Sequence, residues 1–334
     1  MGILLKAIYS NYHYKMTLTH TVILFWCTLS VFLLLVNFFL ITNAYAEIKD
    51  NDFNFVAAGD WGCGRDALKT LSIMKSMHPE IYLGLGDYSY TDSIDCWVNI
   101  VKSVDNNFKI AFGNHDTSNK LLDAFMDKFN LKRQYYSFNY QNAHFIALST
   151  ELNKLGDQEQ LEFVKNDLLE AKANENINWI IVYFHKPFYS DEKSLIESMV
   201  RNYHPLFQKM GVDIVLQGHL HNYQRTYPLL YNSNSHSKPI ISNREQFEYD
   251  DPSGIIFVTV GTGGESIQTL QKQSYLASTY EGFGCINVQI KGNNMIVEYY
   301  SDSHDTIDKF QITKNIKTSD TKTEVQQIEY HKAR

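Results

Sequence analysis

The sequence has no long block of lysine and arginine residues, and its 334 residues carry a formal net charge of −7. A dedicated nucleic-acid-binding protein normally shows a basic stripe, so the charge pattern argues against nucleic-acid binding. Internal repeats and a second domain boundary are also absent, which favours one exported globular domain. With 44% hydrophobic and 14% aromatic residues, such a domain can bury a substantial core.

Acidic residues are absent before Glu47, and the segment 21–41 carries no charge of either sign. This apolar run has about the 20 residues that a helix needs to cross a bilayer. Lys6 and Lys15 precede it, so the positive-inside tendency predicts that the chain beyond the run is exported. We therefore expect an extracytoplasmic protein preceded by one N-terminal hydrophobic helix.

Two fates of this N-terminal segment are open. Ala44-Tyr45-Ala46 resembles the small-x-small site at which signal peptides are cleaved, and cleavage predicts a secreted protein. The apolar run is longer than a usual signal-peptide core, which instead predicts a retained membrane anchor. In both cases residues 1–46 form a signal or anchor segment, and only the retained form holds the protein at a membrane.

Cysteine is scarce, with four residues in the chain. Cys27 lies in the apolar run, and Cys63 and Cys96 each follow a predicted strand by a few residues. An oxidising compartment permits a disulfide between Cys63 and Cys96, although the three cysteines outside the run cannot all pair. Small buried thiols are the alternative interpretation.

After Glu47, short apolar runs alternate with amphipathic segments. The runs predict strands at residues 53–59, 81–85, 109–112, 179–184 and 213–217, and a hairpin of 134–140 with 143–148. Helical spacing predicts helices at residues 67–77 and 157–173 and one that ends near residue 210. This alternation predicts a largely parallel sheet with helical crossovers. Strand-like segments at residues 255–260, 284–290 and 295–301 predict an antiparallel final part.

Two stretches lack periodicity. Residues 227–251 are rich in Asn, Ser, His and charged residues, which predicts a long surface loop or a flap beside the site. Residues 314–334 are polar and low in apolar residues, which predicts a disordered tail. The globular domain is therefore assigned to residues 47–313.

Two histidines stand at i and i+2 in Gly218-His219-Leu220-His221, directly after a predicted strand. In extended chain their side chains point the same way, with Cα atoms about 6.5 Å apart. That spacing suits two imidazoles that each reach one ion of a pair about 3.5–4 Å apart. The motif alone is a weak signal, so other segments have to supply the remaining ligands.

Other predicted strands also end in polar residues, most of them next to a glycine. The ends are Gly59-Asp60-Trp61-Gly62, Gly86-Asp87-Tyr88-Ser89-Tyr90, Gly113-Asn114-His115-Asp116, His185 and the G-H-L-H segment. Taken singly, such an Asp is often a helix cap and such a His a satisfied core residue. Ligands of open α/β sheets bind beyond the carboxyl ends of the strands. Together the five strand ends predict a metal site.

The ordered set GDxG, GDxxY, GNH(D/E), VxxH and GHxH resembles the purple acid phosphatases within the calcineurin-like metallophosphoesterases. The similarity extends over about residues 53–301. It implies an α/β fold of the metallophosphoesterase type, which is a four-layer α/β/β/α sandwich with mixed sheets. It also implies a metal-dependent phosphoric ester hydrolase that acts on a small phosphorylated substrate.

The resemblance implies two metal ions and assigns their ligands. The first ion would be held by Asp60, Asp87, Tyr90 and His221. The second ion would be held by Asp87, Asn114, His185 and His219, so that Asp87 bridges the two. The wider superfamily usually has D-x-H where this chain has Gly62, and Tyr90 is the natural replacement. A phenolate favours Fe(III) at the first position, and the second ion would be Fe(II), Zn(II) or Mn(II).

These ions predict phosphate monoester hydrolysis by in-line attack of a metal-bound hydroxide, with an acidic pH optimum. His115 is the candidate for contacting the substrate phosphate or protonating the leaving alkoxide. Asp116 is expected to orient His115, with an N-cap of the following helix as the alternative. A phosphodiesterase or nucleotide hydrolase is the second interpretation, and a non-catalytic exported binding protein is the third.

Substrate contacts are the least constrained part of the site. Purple acid phosphatases commonly carry one or two further histidines eight to ten residues beyond the position of His185, whereas this chain has Lys193-Ser194-Leu195 there. Lys193 is therefore a candidate phosphate contact. His236 lies in the irregular 227–251 stretch and is a candidate pocket residue.

Overall fold

The computed structural model describes residues 52–189 and 197–315, and positions 26, 29–33 and 36 of the N-terminal segment. The chain divides into two compact units, 1–50 and 51–334, which are treated separately. In the first unit the described positions are helical, and most of the predicted signal or anchor segment lies outside the described residues. Among the described helices, none combines the length and the apolar character that crossing a membrane requires.

The second unit contains two seven-stranded mixed sheets. The first has the order β11-β16-β15-β14-β1-β2-β3. Its strands are β1 (Phe53–Ala58), β2 (Ile81–Gly84), β3 (Phe108–Ile110), β11 (Glu248–Asp250), β14 (Gly284–Lys291), β15 (Asn294–Ser301) and β16 (Thr306–Thr313). Strands β1, β2 and β3 are parallel, and β14 pairs antiparallel with β1. The carboxyl ends of β1, β2 and β3 therefore lie at one edge of the sheet.

The second sheet has the order β13-β8-β12-β7-β6-β5-β4. Its strands are β4 (Tyr136–Tyr140), β5 (Ala143–Ala147), β6 (Trp179–Tyr183), β7 (Ile214–Gln217), β8 (Tyr223–Thr226), β12 (Ile256–Val260) and β13 (Leu276–Tyr280). Strands β5, β6, β7 and β12 are parallel. A further pair consists of β9 (Leu229–Leu230) and β10 (Ile240–Ile241).

Helices cover the outer faces of the two sheets. They are α1 (Arg65–Ser76), α2 (Asp95–Val101), α3 (Asn119–Lys128), α4 (Lys154–Ala173) and α5 (Glu197–Met210), with a 3-10 turn at Asp105–Asn107. Helix α1 buries Leu71 and Met74 in the core of the first sheet, and Val164 of α4 packs in the core with Val215 of the second. Phe55 of β1 meets Phe145 of β5 edge-on at 5.2 Å, so the sheets face each other. The predicted α/β/β/α sandwich is confirmed.

The predicted strands up to residue 217 all exist, with ends that differ by one or two residues. The sequence missed β8, β13 and β16. The stretch 227–251 is not irregular throughout, because it contains β9, β10 and β11, and Tyr249 is buried. Lys314 contacts Asp213 at 2.8 Å, and Asn315 Nδ2 donates to Asp251 Oδ2 at 2.6 Å. Residues 316–334 of the predicted tail lie outside the described residues.

A disulfide joins Cys63, in the loop after β1, to Cys96 in α2. It ties together the two segments that follow the first two strands, and it confirms the disulfide interpretation of these cysteines. Cys285 is a buried free thiol in β14, and burial raises its pKa.

Candidate metal centre

The polar residues at the strand ends have unusual backbone conformations. Asp60, Asp87, Tyr90 and His219 have φ angles of 58°, 55°, 52° and 72°. Positive φ costs a residue with a side chain on the order of 1–3 kcal/mol, and such residues concentrate at functional sites. The strand ends are therefore held in conformations that the local chain would not choose by itself.

Backbone hydrogen bonds fix the first two strand ends against each other. The Asp60 N–H donates to the Gly86 carbonyl, and the Trp61 N–H donates to the Asp87 carbonyl, both at 2.9 Å. Gly86, with φ of 90°, allows this approach, because a Cβ there would lie 2.7 Å from the Gly113 nitrogen and 2.6 Å from His185 Nδ1. The glycine at this position lets three strand ends meet.

One group of ligand atoms surrounds the Tyr90 hydroxyl. Tyr90 Oη lies 3.1 Å from Asp60 Oδ1, 3.3 Å from Asp87 Oδ2 and 3.0 Å from His221 Nε2. His221 Nε2 is also 3.3 Å from Asp60 Oδ1. Two carboxylates, a phenol and an imidazole thus converge on one small volume, in the combination predicted for the first ion.

A second group shares Asp87 with the first. Ligand atoms of Asp87, His185 and His219 all lie within 4.8 Å of one another, and His185 Nε2 is 3.2 Å from Asp87 Oδ2. His185 Nε2 and Asn114 Oδ1 are buried, and neither has a hydrogen-bond partner among the described residues. Buried polar atoms without partners are costly, and a cation between these atoms would satisfy them. The residues present therefore fit a metal ion.

The histidines are oriented by their other ring nitrogens. His185 Nδ1 lies 2.8 Å from the Leu85 carbonyl, and His221 Nδ1 lies 2.7 Å from the Ser266 carbonyl. In the neutral imidazole, an Nδ1–H that donates to the carbonyl leaves the lone pair on Nε2, which then faces the ligand group. Metal-binding histidines are commonly held in this way.

The pKa values of Tyr90 and His185 show that the metal-free site carries excess negative charge. Burial and then the Asp60 and Asp87 carboxylates raise the pKa of Tyr90, which keeps its hydroxyl protonated. Burial alone would lower the pKa of His185, but the Asp87 and Asp60 carboxylates outweigh it and raise the pKa to about 9. The negative charge of Asp60 and Asp87 contributes to both pKa shifts, and a bound cation would neutralise that charge.

His115 lies at the mouth of the site. Its side chain is half exposed, and its ring packs against that of Tyr90 with centroids 4.4 Å apart and the planes tilted by 35°. Its backbone N–H donates to Asp87 Oδ1 at 2.8 Å, and its Nε2 is 4.0 Å from Asp87 Oδ2. A solvent-facing imidazole beside the ligand groups is well placed to meet a substrate.

Asp116 has a different role from the one expected. Its fully buried carboxylate accepts hydrogen bonds from the backbone N–H groups of Asp87, Tyr88 and Gly113, at 2.7, 3.0 and 2.8 Å. These contacts occupy both oxygens, so Asp116 ties the loop after β2 to the loop after β3 instead of orienting His115. Burial, and then the Asp87 charge, raise the pKa of Asp116 to about 7 despite these hydrogen bonds.

His236, one of the two candidate substrate contacts, is not brought into the ligand groups. His236 Nδ1 lies 2.7 Å from the Tyr231 hydroxyl, and the two rings stack. The described contacts of His236 therefore involve a neighbour in its own loop. Lys193 lies outside the described residues.

Sequence reasoning missed the residues after Gly261-Thr262-Gly263-Gly264. In the structure, the Gln268 N–H donates to the His221 carbonyl at 2.9 Å, and the His221 N–H donates to Gln268 Oε1 at 3.2 Å. Ser266 accepts from the same histidine, as described above. The glycine run after β12 was the available signal, since it marks a place where backbone approaches another segment closely.

The family profile "Calcineurin-like phosphoesterase" matches residues 53–223, about half of the chain. The chain belongs to the calcineurin-like phosphoesterase family. The matched region ends just beyond the G-H-L-H segment and contains every residue of the two ligand groups. The resemblance inferred from the five motifs is thereby confirmed, and membership in this family implies a dinuclear metal centre.

Curated relatives of this calcineurin-like phosphoesterase include purple acid phosphatases. Purple acid phosphatase 15 of Arabidopsis thaliana is 26% identical over 252 residues, which cover 62% of this chain and 44% of the relative. Phosphoenolpyruvate phosphatase of Allium cepa is 25% identical over 265 residues, covering 70% and 53%. The chain thus spans about half the length of the curated relatives it matches.

Solved structures support the fold. The purple acid phosphatase PPD1 from yellow lupin (Lupinus luteus) seeds aligns with a TM-score of 0.66 at 23% identity, covering 79% of this chain and 54% of that one. GAP50, described as the anchor in the inner membrane complex of Plasmodium, aligns with a TM-score of 0.59 at 16% identity, covering 78% and 89%. At these identities the likeness concerns the fold alone.

Proposed function

We propose that this protein is a metal-dependent phosphatase that hydrolyses phosphate monoesters at a two-ion site centred on Asp87. One observation carries the proposal: Asp87 Oδ2 lies within 3.3 Å of both Tyr90 Oη and His185 Nε2. A single carboxylate oxygen thus faces both ligand groups, as a bridging ligand must. The purple acid phosphatases among its relatives point to the same chemistry.

The first ion would be held by Asp60, Asp87, Tyr90 and His221. The second ion would be held by Asp87, Asn114, His185 and His219, so that Asp87 would bind both. Phenolate oxygen favours Fe(III) at the first position, and the amide and two imidazoles suit Fe(II), Zn(II) or Mn(II) at the second. When bound, the ions supply an activated water and positive charge for the substrate phosphate, even in acid. The anionic ligands offset only part of that positive charge, so the site attracts an anionic ester.

His115 would act on the substrate itself. Its half-exposed ring can donate a hydrogen bond to a phosphate oxygen or a proton to the departing alcohol. The ring contact with Tyr90 and the backbone N–H bond to Asp87 hold His115 relative to both ligand groups. Asp116 contributes indirectly, because it holds the loops that carry Asp87 and Asn114.

The substrate class is tested with 4-nitrophenyl phosphate and its bis-ester, using the full chain loaded with metal between pH 4 and 8. We expect preferential turnover of the monoester, with the highest rate in acid. Preferential turnover of the bis-ester would favour the phosphodiesterase or nucleotide hydrolase interpretation. Absence of turnover in protein that binds two ions would favour a non-catalytic binding protein.

We further propose that the folded unit lies outside the cytoplasm. The Cys63–Cys96 disulfide supports this placement, because disulfides persist mainly in oxidising compartments. Protease treatment of intact cells should then degrade the catalytic unit unless it is secreted into the medium. Sequencing the N-terminus of the mature protein separates the secreted form, which begins near Glu47, from the anchored form, which keeps the apolar run.

A further inference from the structure

Glu265 lies against the first ligand group but belongs to none of the five motifs. Its backbone N–H donates to the Asp60 carbonyl at 2.9 Å, which fastens the loop after β12 to the end of β1. Its Oε1 accepts from the Ser266 N–H at 3.0 Å. The side chain is therefore held by its own loop, and that loop is held by a residue of the ligand group.

The Glu265 carboxylate occupies the space that a side chain at position 62 would fill if residue 62 were not glycine. A Cβ built on Gly62 would lie 2.8 Å from Glu265 Oε2. Gly62 also has φ of 60°, a conformation that favours glycine. Any larger residue at position 62 would displace the carboxylate, so Gly62 and Glu265 form one arrangement two residues after Asp60.

The same loop also holds His221, whose Nδ1 bonds to the carbonyl of the next residue, Ser266, at 2.7 Å. Glu265 has no lysine or arginine partner among the ion pairs of the described residues. The Glu265 carboxylate thus belongs to the loop that contacts both Asp60 and His221, beside a group of ligands that is already anionic.

Such an arrangement is unfavourable without a cation and favourable with one. The energy between a fixed negative charge and an ion is proportional to the charge of the ion. At the same distance, a carboxylate therefore attracts a trivalent ion about one and a half times as strongly as a divalent ion. A fixed carboxylate beside the first ligand group favours ions of higher charge, whereas the spacing of the ligand atoms selects ions by size.

We propose that Glu265 is a positioning residue of the first metal site, whose carboxylate raises the preference of that site for a trivalent over a divalent ion. The inference rests on the proposed function, in that the site must bind metal. It assigns to the loop after β12 a part in metal selection, in addition to holding His221.

The test compares Glu265→Gln and Glu265→Asp with the wild-type protein. Glu248→Gln is the matched control, because it removes the same charge from an exposed residue of β11. Metal-free protein is titrated with Fe(III) buffered by a chelator and, separately, with Zn(II). For Glu265→Gln we expect about a 10-fold loss of Fe(III) affinity and a smaller loss of Zn(II) affinity. Glu265→Asp should recover part of the Fe(III) affinity, and Glu248→Gln should match the wild type.

The outcomes separate the two proposals. A loop that merely loses its shape would lower the affinities for both ions by the same factor, and that result would overturn the role of Glu265. Unchanged Fe(III) affinity in Glu265→Gln would overturn it as well, while leaving the proposed function intact. Failure of the wild-type protein to bind two ions would instead reject the proposed function.

Discussion

Two buried polar clusters in this protein differ in how completely their charges are matched. Around Arg225 in β8, the guanidinium bonds to both Asp308 oxygens at 2.6 and 3.0 Å, to the Tyr249 hydroxyl at 2.9 Å and to the Gln246 carbonyl at 3.0 Å. The ligand groups around Asp87, by contrast, contain buried atoms without hydrogen-bond partners. The first cluster is complete within the chain, and the second requires a cation.

The backbone makes the same distinction. Tyr223 and Arg225 lie in regular strand β8, whereas Asp60, Asp87 and Tyr90 have positive φ. Side chains in a regular sheet can satisfy one another without strain, but convergence of strand ends on one point requires unusual turns. A buried polar group therefore indicates function here when it is both strained and incompletely bonded.

The largest expected effect comes from Asp87→Asn, which keeps the shape of the side chain but removes the bridging charge. We expect kcat/KM to fall by about 10³-fold or more, since metal ions contribute several kcal/mol to such reactions. Bound metal should fall below two ions per chain, as measured by elemental analysis. Unfolding of the metal-free variant in urea should show a small loss of stability, because the substitution removes the attraction between the Asp87 carboxylate and His185. A large loss of stability with unchanged metal content would mean that Asp87 is mainly structural.

The opposite result is expected at the complete cluster. Arg225→Met leaves Asp308 buried without its partner, so the free energy of unfolding should fall by about 3–5 kcal/mol. Metal content per folded chain should stay at the wild-type value. The matched control is Arg225→Met combined with Asp308→Leu, which removes both charges and should recover much of the loss. Loss of metal without loss of stability would remove the distinction between the two clusters.

A third buried group, His204 in α5, predicts how stability depends on pH. The Tyr189 hydroxyl lies 2.5 Å from His204 Nδ1, and His204 Nε2 lies 3.3 Å from the Leu229 carbonyl. Burial lowers the pKa of His204 to about 4, from an ordinary value of 6.5. In the unfolded chain the imidazole binds its proton at a higher pH than in the folded protein. The contribution of His204 to stability is therefore complete above pH 6.5 and is lost as the pH falls towards 4.

The difference between the folded and unfolded pKa values of His204 corresponds to a loss of about 3 kcal/mol in the free energy of unfolding. Urea unfolding of the metal-free protein at pH 7, 5.5 and 4.5 measures it, with His204→Gln as the comparison. The variant should be less stable at pH 7 and should depend less on pH. Parallel pH dependence in the two proteins would show that His204 is not the group responsible.

The smallest effect concerns His115, which contacts the ligand groups but remains half exposed. His115→Ala should lower kcat by about 10²-fold for esters with poor leaving groups, the range typical of general acid catalysis. For 4-nitrophenyl phosphate the loss should be smaller, because that leaving group needs little protonation. A series of aryl and alkyl monoesters measures the difference, and equal losses throughout would contradict the proposed role.

Much of the candidate site could be predicted because its residues directly follow strands. The residues after β1, β2, β6 and β7 follow parallel strands, and ligands of open α/β sheets bind beyond the carboxyl ends of such strands. Apolar runs such as that of Trp179–Tyr183 likewise predict buried strands. The local sequence pattern and the topology of the strands are sufficient to predict these site residues.

What the sequence did not predict depends on partners that are distant in the chain. Strand β8 reads Tyr-Gln-Arg-Thr, and the charge of its buried Arg225 is matched by Asp308, 83 residues further on. Asp116 was assigned to its neighbour His115, whereas its hydrogen-bond donors include Asp87 and Tyr88 on another loop. Glu265 was missed because the space above Gly62 exists only in the folded chain.

We propose that the active protein carries two ions at the site around Asp87, one of them iron bound to Tyr90. Metal analysis of the purified active protein together with its visible spectrum tests this most directly. We expect two ions per chain, one iron, and a purple or pink colour that Tyr90→Phe abolishes. Full activity in colourless protein with fewer than two ions per chain would contradict the account.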